Sequence, residues 1–595
     1  MPLVTIPQTL EDMNKSEKYV MNKLKTLYLS QKDIVYLYLE PKIKRLTPDF
    51  LLIDPERGVA IIEVKAWDID YIDKINFKEV INKQNETLEN PAYKARRYFN
   101  TTQGLFKFHE NLLDRDGNLK FNLHSILILP ELSKEDAKRY KIEEYLDYYP
   151  VRVLYKEDIR SISFAKLFNN NYKKIDENII DNIKVAIFPE IKIVQTKDED
   201  SSIDEQIKAL DYEQDRFAKS LPFGHYMITG IPGSGKTIVL LARALYISKL
   251  YPDWKILILT YNKALSSVLK HKLDKIKEEF EYHDIEINNI QIMTFHSLAM
   301  KFSNLSPRDF PFEKQNDFWK NILPKDAAKN AKPYYDMILI DEYQDFYKEW
   351  FELVIKLLNK HKDKNKEYIN LFLAGDRLQS IYNPSDINWK QDIGLDMRGR
   401  SKLLQSSYRV TKEHINLGLS ILRRDNRYKK EVEKFYDDGK DLELKNLTKN
   451  SIKLIQGDYY DISLYIESLL KDNKYKFEDI LLLAPTKKIL ERVKNTLPLN
   501  IQKSVCSALE VDENKMIFTT FHSSKGIEAK VTIAIDIDKI DDRKLLYVAS
   551  TRASHKLILH SFDFDKSEIS KDVKEIAQEK FNCKVDKREN LKSAS

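Results

Sequence analysis

Two stretches of this 595-residue chain hold the residue types that phosphate chemistry needs. In GIPGSGKT, Gly230, Gly233 and Gly235 fall within six positions, although the whole chain has only 14 glycines. Such crowding marks a backbone that something must approach closely. The spacing fits G-x-x-x-x-G-K-[ST], with the apolar run HYMITG before it and the helical run TIVLLARALYISKL after it. Backbone N–H groups of this loop, Ser234 included, can wrap a β-phosphate at the helix start, while Pro232 donates none. Lys236 then reaches the β- and γ-phosphates and Thr237 ligates Mg2+, so the cofactor read from the motif is ATP with Mg2+. Roughly 100 residues downstream, the strand-like run in MILIDEYQDF ends in Asp341 and Glu342. One carboxylate suits the metal's shell and the other can orient an attacking water.

A second candidate lies in TPDFLLIDPERGVAIIEVKAWD. Asp49 enters one strand, and Glu63 and Lys65 end the next. Residues two apart in a strand share a face, so Glu63 and Lys65 point together and Asp49 can meet them across a hairpin. Two carboxylates can hold a divalent cation, Mg2+ or Mn2+, and the lysine can orient a water or offset phosphate charge. A preceding helix supplies Glu17 as a further metal ligand, and a basic helix follows with Lys94, Arg96 and Arg97. Three readings stay open: a metal-dependent nuclease site, a module that grips DNA without cutting it, and a solvated strand face.

These residues need elements to position them. At 595 residues the chain exceeds a single core, and 42% hydrophobic with 32% charged residues is a globular balance. Its 98 basic and 92 acidic side chains nearly cancel, so a nucleic-acid footprint must be a local groove. Cys506 and Cys583 offer neither metal-ligand spacing nor a disulfide framework. With no signal-like start and no long apolar run, a cytoplasmic location without membrane contact is expected. Residues 1–190 form a first module with strand-like runs YLYLE, DFLLID, VAIIEVK and SILILP. A polar, acidic passage at 191–207 reads as the linker. Beyond it, KILILTY, IQIMTF, NLFLAG, ILLLAP, MIFTTF and VTIAID alternate with helical stretches, which predicts an α/β fold with parallel layers.

The order of motifs resembles the UvrD/Rep/PcrA branch of superfamily 1 helicases over residues 208–562, since D-E-Y-Q-D has the form of that branch's second motif. The resemblance implies two RecA-like domains, 208–400 and 401–565, with reduced inserted subdomains and a tail at 566–595. It makes Gln214 the adenine-reading glutamine and Tyr408 its stacking partner. Gln379 becomes the γ-phosphate sensor, and Arg409 and Arg552 the phosphate-facing arginines beside Lys236 and Glu342. Glu528 joins the nucleotide contacts, in a segment that also holds Lys525 and Gly526; Tyr547 belongs to the last motif. Thr260, Asn262, Thr294, His296, Tyr382 and His522 become contacts to a DNA strand, with Trp389 a further stacking candidate. The third motif departs from the family in reading Gly375-Asp376-Arg377-Leu378-Gln379 without the usual acidic run. The first module resembles the PD-(D/E)xK nucleases, and the nuclease-related domain (NERD) in particular, over residues 10–165; Gln103 fits poorly as that family's helical glutamine. The combination resembles nuclease-helicase immunity proteins, which implies DNA as partner and a role in defence against phage.

Overall fold

The computed structural model describes residues 3–6, 13–170, 172–194, 207–282 and 287–587, apart from 211, 220, 222, 364–365, 377–378, 380–386, 405, 408, 434–442, 445, 472–474 and 509–513. Two compact units emerge: Met1–Pro222 with Ile276–Glu286, and Phe223–Lys275 with Ile287–Ser595.

In the first unit a sheet runs in the order Leu3–Ile6, Val35–Leu39, Phe50–Asp54, Gly58–Val64, Leu123–Leu129, Arg152–Tyr155. The middle is a hairpin: Phe50–Asp54 pairs antiparallel with Gly58–Val64, and Phe50 faces Ile62. Gly58–Val64 then pairs parallel with Leu123–Leu129, the helix Pro91–Phe108 lying between them in sequence. That helix starts at Asn90, whose side chain accepts from Ala92 N, with Pro91 in the first turn, where a missing N–H costs nothing. The helix Lys15–Leu27 buries Val20, Met21 and Leu24 against Leu52, Ala60 and Ile62. Buried aliphatic side chains of this size each contribute about 1.5–3 kcal/mol. The passage at 191–207, expected as a linker, begins and ends in short strands: Lys192–Val194 pairs antiparallel with Ile207–Ala209. The first unit continues past them to Pro222.

Two large parallel sheets form the body of the second unit. The first has the order Ile290–Thr294, Ile256–Thr260, Met337–Asp341, Asn370–Gly375, His225–Gly230, Ser401–Leu404. Its central strands are buried along their whole length, which is why ILILT and MILID read as unbroken apolar runs. Ser401–Leu404, expected to begin the next domain, is instead the edge strand of this sheet. The second sheet runs Val505–Ser507, Met516–Thr520, Ile480–Ala484, Ala529–Ala534, Ala553–Ser561, Ile452–Gln456, Val585–Asp586. The expected tail at 566–595 is corrected for its described part. The helix Glu568–Phe581 starts at a Ser567 capping box and buries Ile569, Val573, Ile576 and Ala577, and Val585–Asp586 adds a strand beside Ile452–Gln456. Its apolar residues recur at helical spacing, the signature of a packed face.

Candidate functional site

The phosphate loop leaves the carboxyl end of His225–Gly230, where open parallel sheets place their ligands. At Gly230 an added Cβ would lie 2.6 Å from Ser234 Oγ and 2.9 Å from Leu404 Cβ, so only glycine lets the loop close here. Gly235 caps the helix Lys236–Leu250 at φ 82°, a left-handed conformation that glycine adopts without strain. Gly233 and Ser234 form the turn between them, and Ser407 Oγ donates to Pro232 O at 2.8 Å. The cradle and its helix N-terminus fit a nucleoside triphosphate.

Lys236 is buried, and its Nζ donates to Gly230 O at 2.9 Å and Ile231 O at 3.0 Å. Burial holds its pKa below the usual lysine value, although Asp376, Glu342 and Asp341 oppose that shift. Thr237 Oγ1 donates to Asp341 Oδ2 at 2.9 Å, so the two expected metal ligands meet. Burial, helped by the charge of Glu342, lifts the Asp341 carboxyl to about 7. Glu342 has φ 53°, a left-handed conformation unusual for its type, and shifts the other way. Burial raises its pKa, but Lys525, Lys236, Arg552 and the amide of Gln344 outweigh that and keep it ionised. Adjacent carboxylates are thus pushed apart in pKa, an arrangement common at working sites.

The second sheet contributes to the same place. Lys525 Nζ, only 1% exposed, donates to Asp345 Oδ2 at 2.6 Å and to Gln379 O at 2.5 Å, and lies 3.7 Å from Glu342 Oε2. Arg552 Nη2 donates to Gln379 Oε1 at 2.7 Å and its Nε to Val548 O at 3.1 Å. Arg409 pairs with Glu528 and reaches Thr551 O at 3.5 Å. Lys236, Asp341, Glu342, Gln379, Arg552, Arg409 and Glu528 therefore belong to one neighbourhood. Sequence reading misses Gln344 and Asp345 as its supports. Gln344 Nε2 donates to Glu342, and its Oε1 accepts from Asp376 N at 3.2 Å. Their signal is the close of D-E-Y-Q-D, where Asp345 is buried with nothing apolar to offer.

Other expected positions behave differently. Thr260 and Thr294 are buried. Thr260 Oγ1 donates to Asn262 O, Asn262 Oδ1 accepts from Leu265 N, and Thr294 Oγ1 accepts from Ser297 N. Their polar atoms thus serve helix starts. His296 stands against Trp350 and Trp319, and burial lowers its pKa to about 4, so it is a neutral ring at pH 7. His522 is exposed, Tyr547 is fully buried, and Gly526 has φ 81°. Trp389 is half-buried and packs on Tyr343 and Phe351 against the core. Gln214 lies buried on the helix Tyr212–Lys219 of the first unit. Tyr382 and Tyr408 lie outside the described residues.

In the first unit the hairpin brings Asp49, Glu63 and Lys65 together. Lys65 Nζ lies 2.7 Å from Glu63 Oε1 and 3.8 Å from Asp49 Oδ2. Asp49 Oδ2 also accepts from Val64 N at 2.5 Å. Burial, then the charge of Glu63, lifts the Asp49 carboxyl to about 7 against the pull of Lys65. Lys94 reaches down from the helix Pro91–Phe108 to the same Glu63 Oε1 at 2.8 Å. Glu63 Oε2 is buried and makes no hydrogen bond among the described residues. Glu17 is close enough for its charge to raise Asp49, yet its carboxylate accepts from Asn14 N and Nδ2 in a capping box. Among the described residues no three His, Cys, Asp or Glu side chains are gathered for a metal, which corrects the expected three-carboxylate set. The orphaned oxygen of Glu63 beside Asp49 still fits a divalent cation held by two carboxylates. Arg96 stacks over Phe99, Arg97 pairs with Glu89, and Gln103 is half-buried on the same helix.

Residues 214–384 match the AAA domain family and residues 515–560 match the UvrD-like helicase C-terminal domain. The chain is 44% identical over 62 residues to an ATP-dependent helicase/nuclease subunit of Clostridium beijerinckii, 10% of this chain and 5% of that protein. It is 33% identical over 122 residues to the protein of the same name from Listeria welshimeri, 18% and 9% of the two chains. A third, from Clostridium acetobutylicum, is 35% identical over 101 residues, 16% and 8%. The chain thus spans under a tenth of the length of these relatives. A crystal structure of an arterivirus nonstructural protein 10 (helicase) aligns with 59% of this chain and 61% of its own at 12% identity and a TM-score of 0.29, a likeness too weak to bear on the site. The chain carries a UvrD-like superfamily 1 helicase region. No helix among the described residues is long and apolar enough to cross a membrane.

Proposed function

We propose that the chain is an ATP-driven superfamily 1 helicase or translocase on DNA, joined to a metal-dependent DNA nuclease. The observation that carries the motor is the buried junction at Asp341 and Glu342, where Thr237 meets one carboxylate and Lys525 approaches the other. ATP with Mg2+ would supply the phosphoanhydride and a cation for Thr237 and Asp341 to hold. Lys236, whose buried ammonium donates to two loop carbonyls, would give those donors to phosphate oxygens. Glu342, kept ionised by its cationic neighbours, is suited to accept a hydrogen bond from the attacking water. Arg552 and Arg409, both from beyond the first sheet, can place positive charge where the γ-phosphoryl oxygens gain negative charge. Because Arg552 and Lys525 both touch Gln379, hydrolysis at one sheet is felt at the other.

The nuclease reading rests on Asp49, Glu63 and Lys65 converging on one hairpin end. Mg2+ or Mn2+ would be held by Asp49 and Glu63 and would supply Lewis acidity toward a phosphodiester. Lys65 can hold a water or the scissile phosphate beside it. Joining cutting to ATP-driven movement in one polypeptide suits the destruction of invading DNA, and protection against phage is the role we assign. The helicase/nuclease relatives carry the same pairing of activities in their names, and a second reading is a housekeeping recombination or repair enzyme with the same chemistry. Phage plating on cells with and without the gene separates the two.

The motor is tested by ATP turnover with and without single-stranded DNA at low salt. Stimulation that fades as salt rises supports it, because phosphate contacts release counterions. Turnover unchanged by any DNA would instead indicate a nucleotide switch.

A further inference from the structure

Around Glu63 the two carboxyls can at most balance the cations. Asp49 and Glu63 supply no more than two negative charges, and Lys65 and Lys94 supply two positive ones, both within 2.8 Å of one oxygen. Of the other groups that face the pair, Tyr98 is neutral, its hydroxyl donating to Thr47 O at 3.0 Å, and Glu17 adds a weaker negative influence on Asp49 while its carboxylate accepts from Asn14. Lys94 comes from the helix, outside the hairpin that holds the E-x-K pattern, and its side chain is 27% exposed. Glu63 is fully buried, and among the described residues Lys65 and Lys94 are its ion-pair partners.

We infer that Lys94 is a tethered counter-ion that keeps a divalent metal out of the Glu63 site until a nucleic-acid phosphate arrives, so that metal and substrate load together. The inference rests on the nuclease reading of this hairpin. A doubly charged ion approaching the buried Glu63 meets two ammoniums at close range, which is unfavourable. A phosphodiester brings the missing negative charge and gives Lys94 a new partner, freeing Glu63 for the metal. A nuclease loaded this way does not sit armed in the absence of DNA.

The test is Mn2+ binding to the full chain without nucleotide, followed by the electron paramagnetic resonance of free Mn2+. The Glu63→Gln protein defines what the Glu63 site contributes. Lys94→Gln and Lys94→Met should each bind Mn2+ at the Glu63-dependent site about tenfold or more tightly than wild type. Wild type should gain comparable binding when a phosphorothioate oligonucleotide is added. Circular dichroism checks that the variants fold, and the methionine keeps the apolar stem if glutamine disturbs packing. Equal or weaker Mn2+ binding by both Lys94 variants, or the absence of any Glu63-dependent site in every protein, overturns the proposal. If the variants bind more tightly yet wild type cuts no DNA, the nuclease reading fails and the counter-ion role stands.

Discussion

The ATP site and the hairpin site solve the same electrostatic problem with different parts. Each holds an aspartate near a glutamate, buried at the ATP site and half-buried at the hairpin, and in each the aspartate is lifted to about 7, first by desolvation and next by its acidic neighbour. At the ATP site the acids are consecutive, Asp341 and Glu342, and the strained backbone of Glu342 separates them. Their lysines come from positions 236 and 525, on elements of two different sheets. At the hairpin the acids face each other across two strands, and the lysines come from the same strand and the next helix. A site assembled from distant elements can change when those elements move, whereas two carboxyls held on one hairpin keep their spacing. The first suits a cycle of motion and the second a fixed cutting centre.

The largest effect that would break this comparison is at Lys236. Lys236→Ala should lower ATP turnover by about 10³-fold or more, since it removes a preplaced cation from the phosphates, while circular dichroism stays unchanged. Wild-type turnover in that protein would remove the loop from the chemistry. Glu342→Gln should bind ATP normally and lose about 10²–10³-fold in kcat, a split that equilibrium binding and steady-state kinetics measure together.

Lys525→Ala sharpens the contrast through stability. It leaves Asp345, 1% exposed on its side chain, without its cation, and losing one partner of a buried pair costs about 3–5 kcal/mol. Urea unfolding should register that loss in the second unit. The equivalent change at the partly exposed Lys65 should cost less, because Lys94 still pairs with the same Glu63 oxygen.

A smaller effect than that at Lys525 is on pH dependence. An aspartate lifted to about 7 in the fold and near 3.9 when unfolded binds more protons folded than unfolded throughout that window. Stability therefore falls as pH rises from about 4 to 7. Asp49→Asn and Asp341→Asn should each flatten that slope, by about 1–3 kcal/mol across the window. An unchanged slope in both would mean that neither carboxyl is lifted.

Much of the molecule is legible in the sequence, and the reasons differ by element. The runs ILILT, MILID and ILLLA announce central strands because burial on both faces demands unbroken apolar residues. Ser401–Leu404 and Val585–Asp586 give no such signal, being edge strands with half-solvated faces. Glu568–Phe581 reads as a tail because its charged residues hide a narrow apolar stripe. At the sites, Lys236, Thr237 and Asp341 follow from spacing, since loop, helix and strand are fixed relative to one another. Lys94 and Asp345 do not follow, because their partners lie 31 and 180 residues away and only packing brings them close. Glu17 shows the opposite case: an acid well placed in sequence whose carboxylate is occupied by capping its own helix.

The central claim is two independent reactions in one chain, and a paired assay of Glu63→Ala and Lys236→Ala tests it most directly. Each purified protein is given plasmid and single-stranded DNA with Mg2+ or Mn2+, and DNA cleavage and ATP turnover are read from the same samples. The account predicts that Glu63→Ala loses cleavage and keeps DNA-stimulated ATP turnover, and that Lys236→Ala loses ATP turnover and keeps cleavage in this minimal assay. Cleavage by Glu63→Ala at the wild-type rate, or no cleavage by the wild-type protein with either metal, would contradict it and leave the first unit as a module that grips DNA without cutting it.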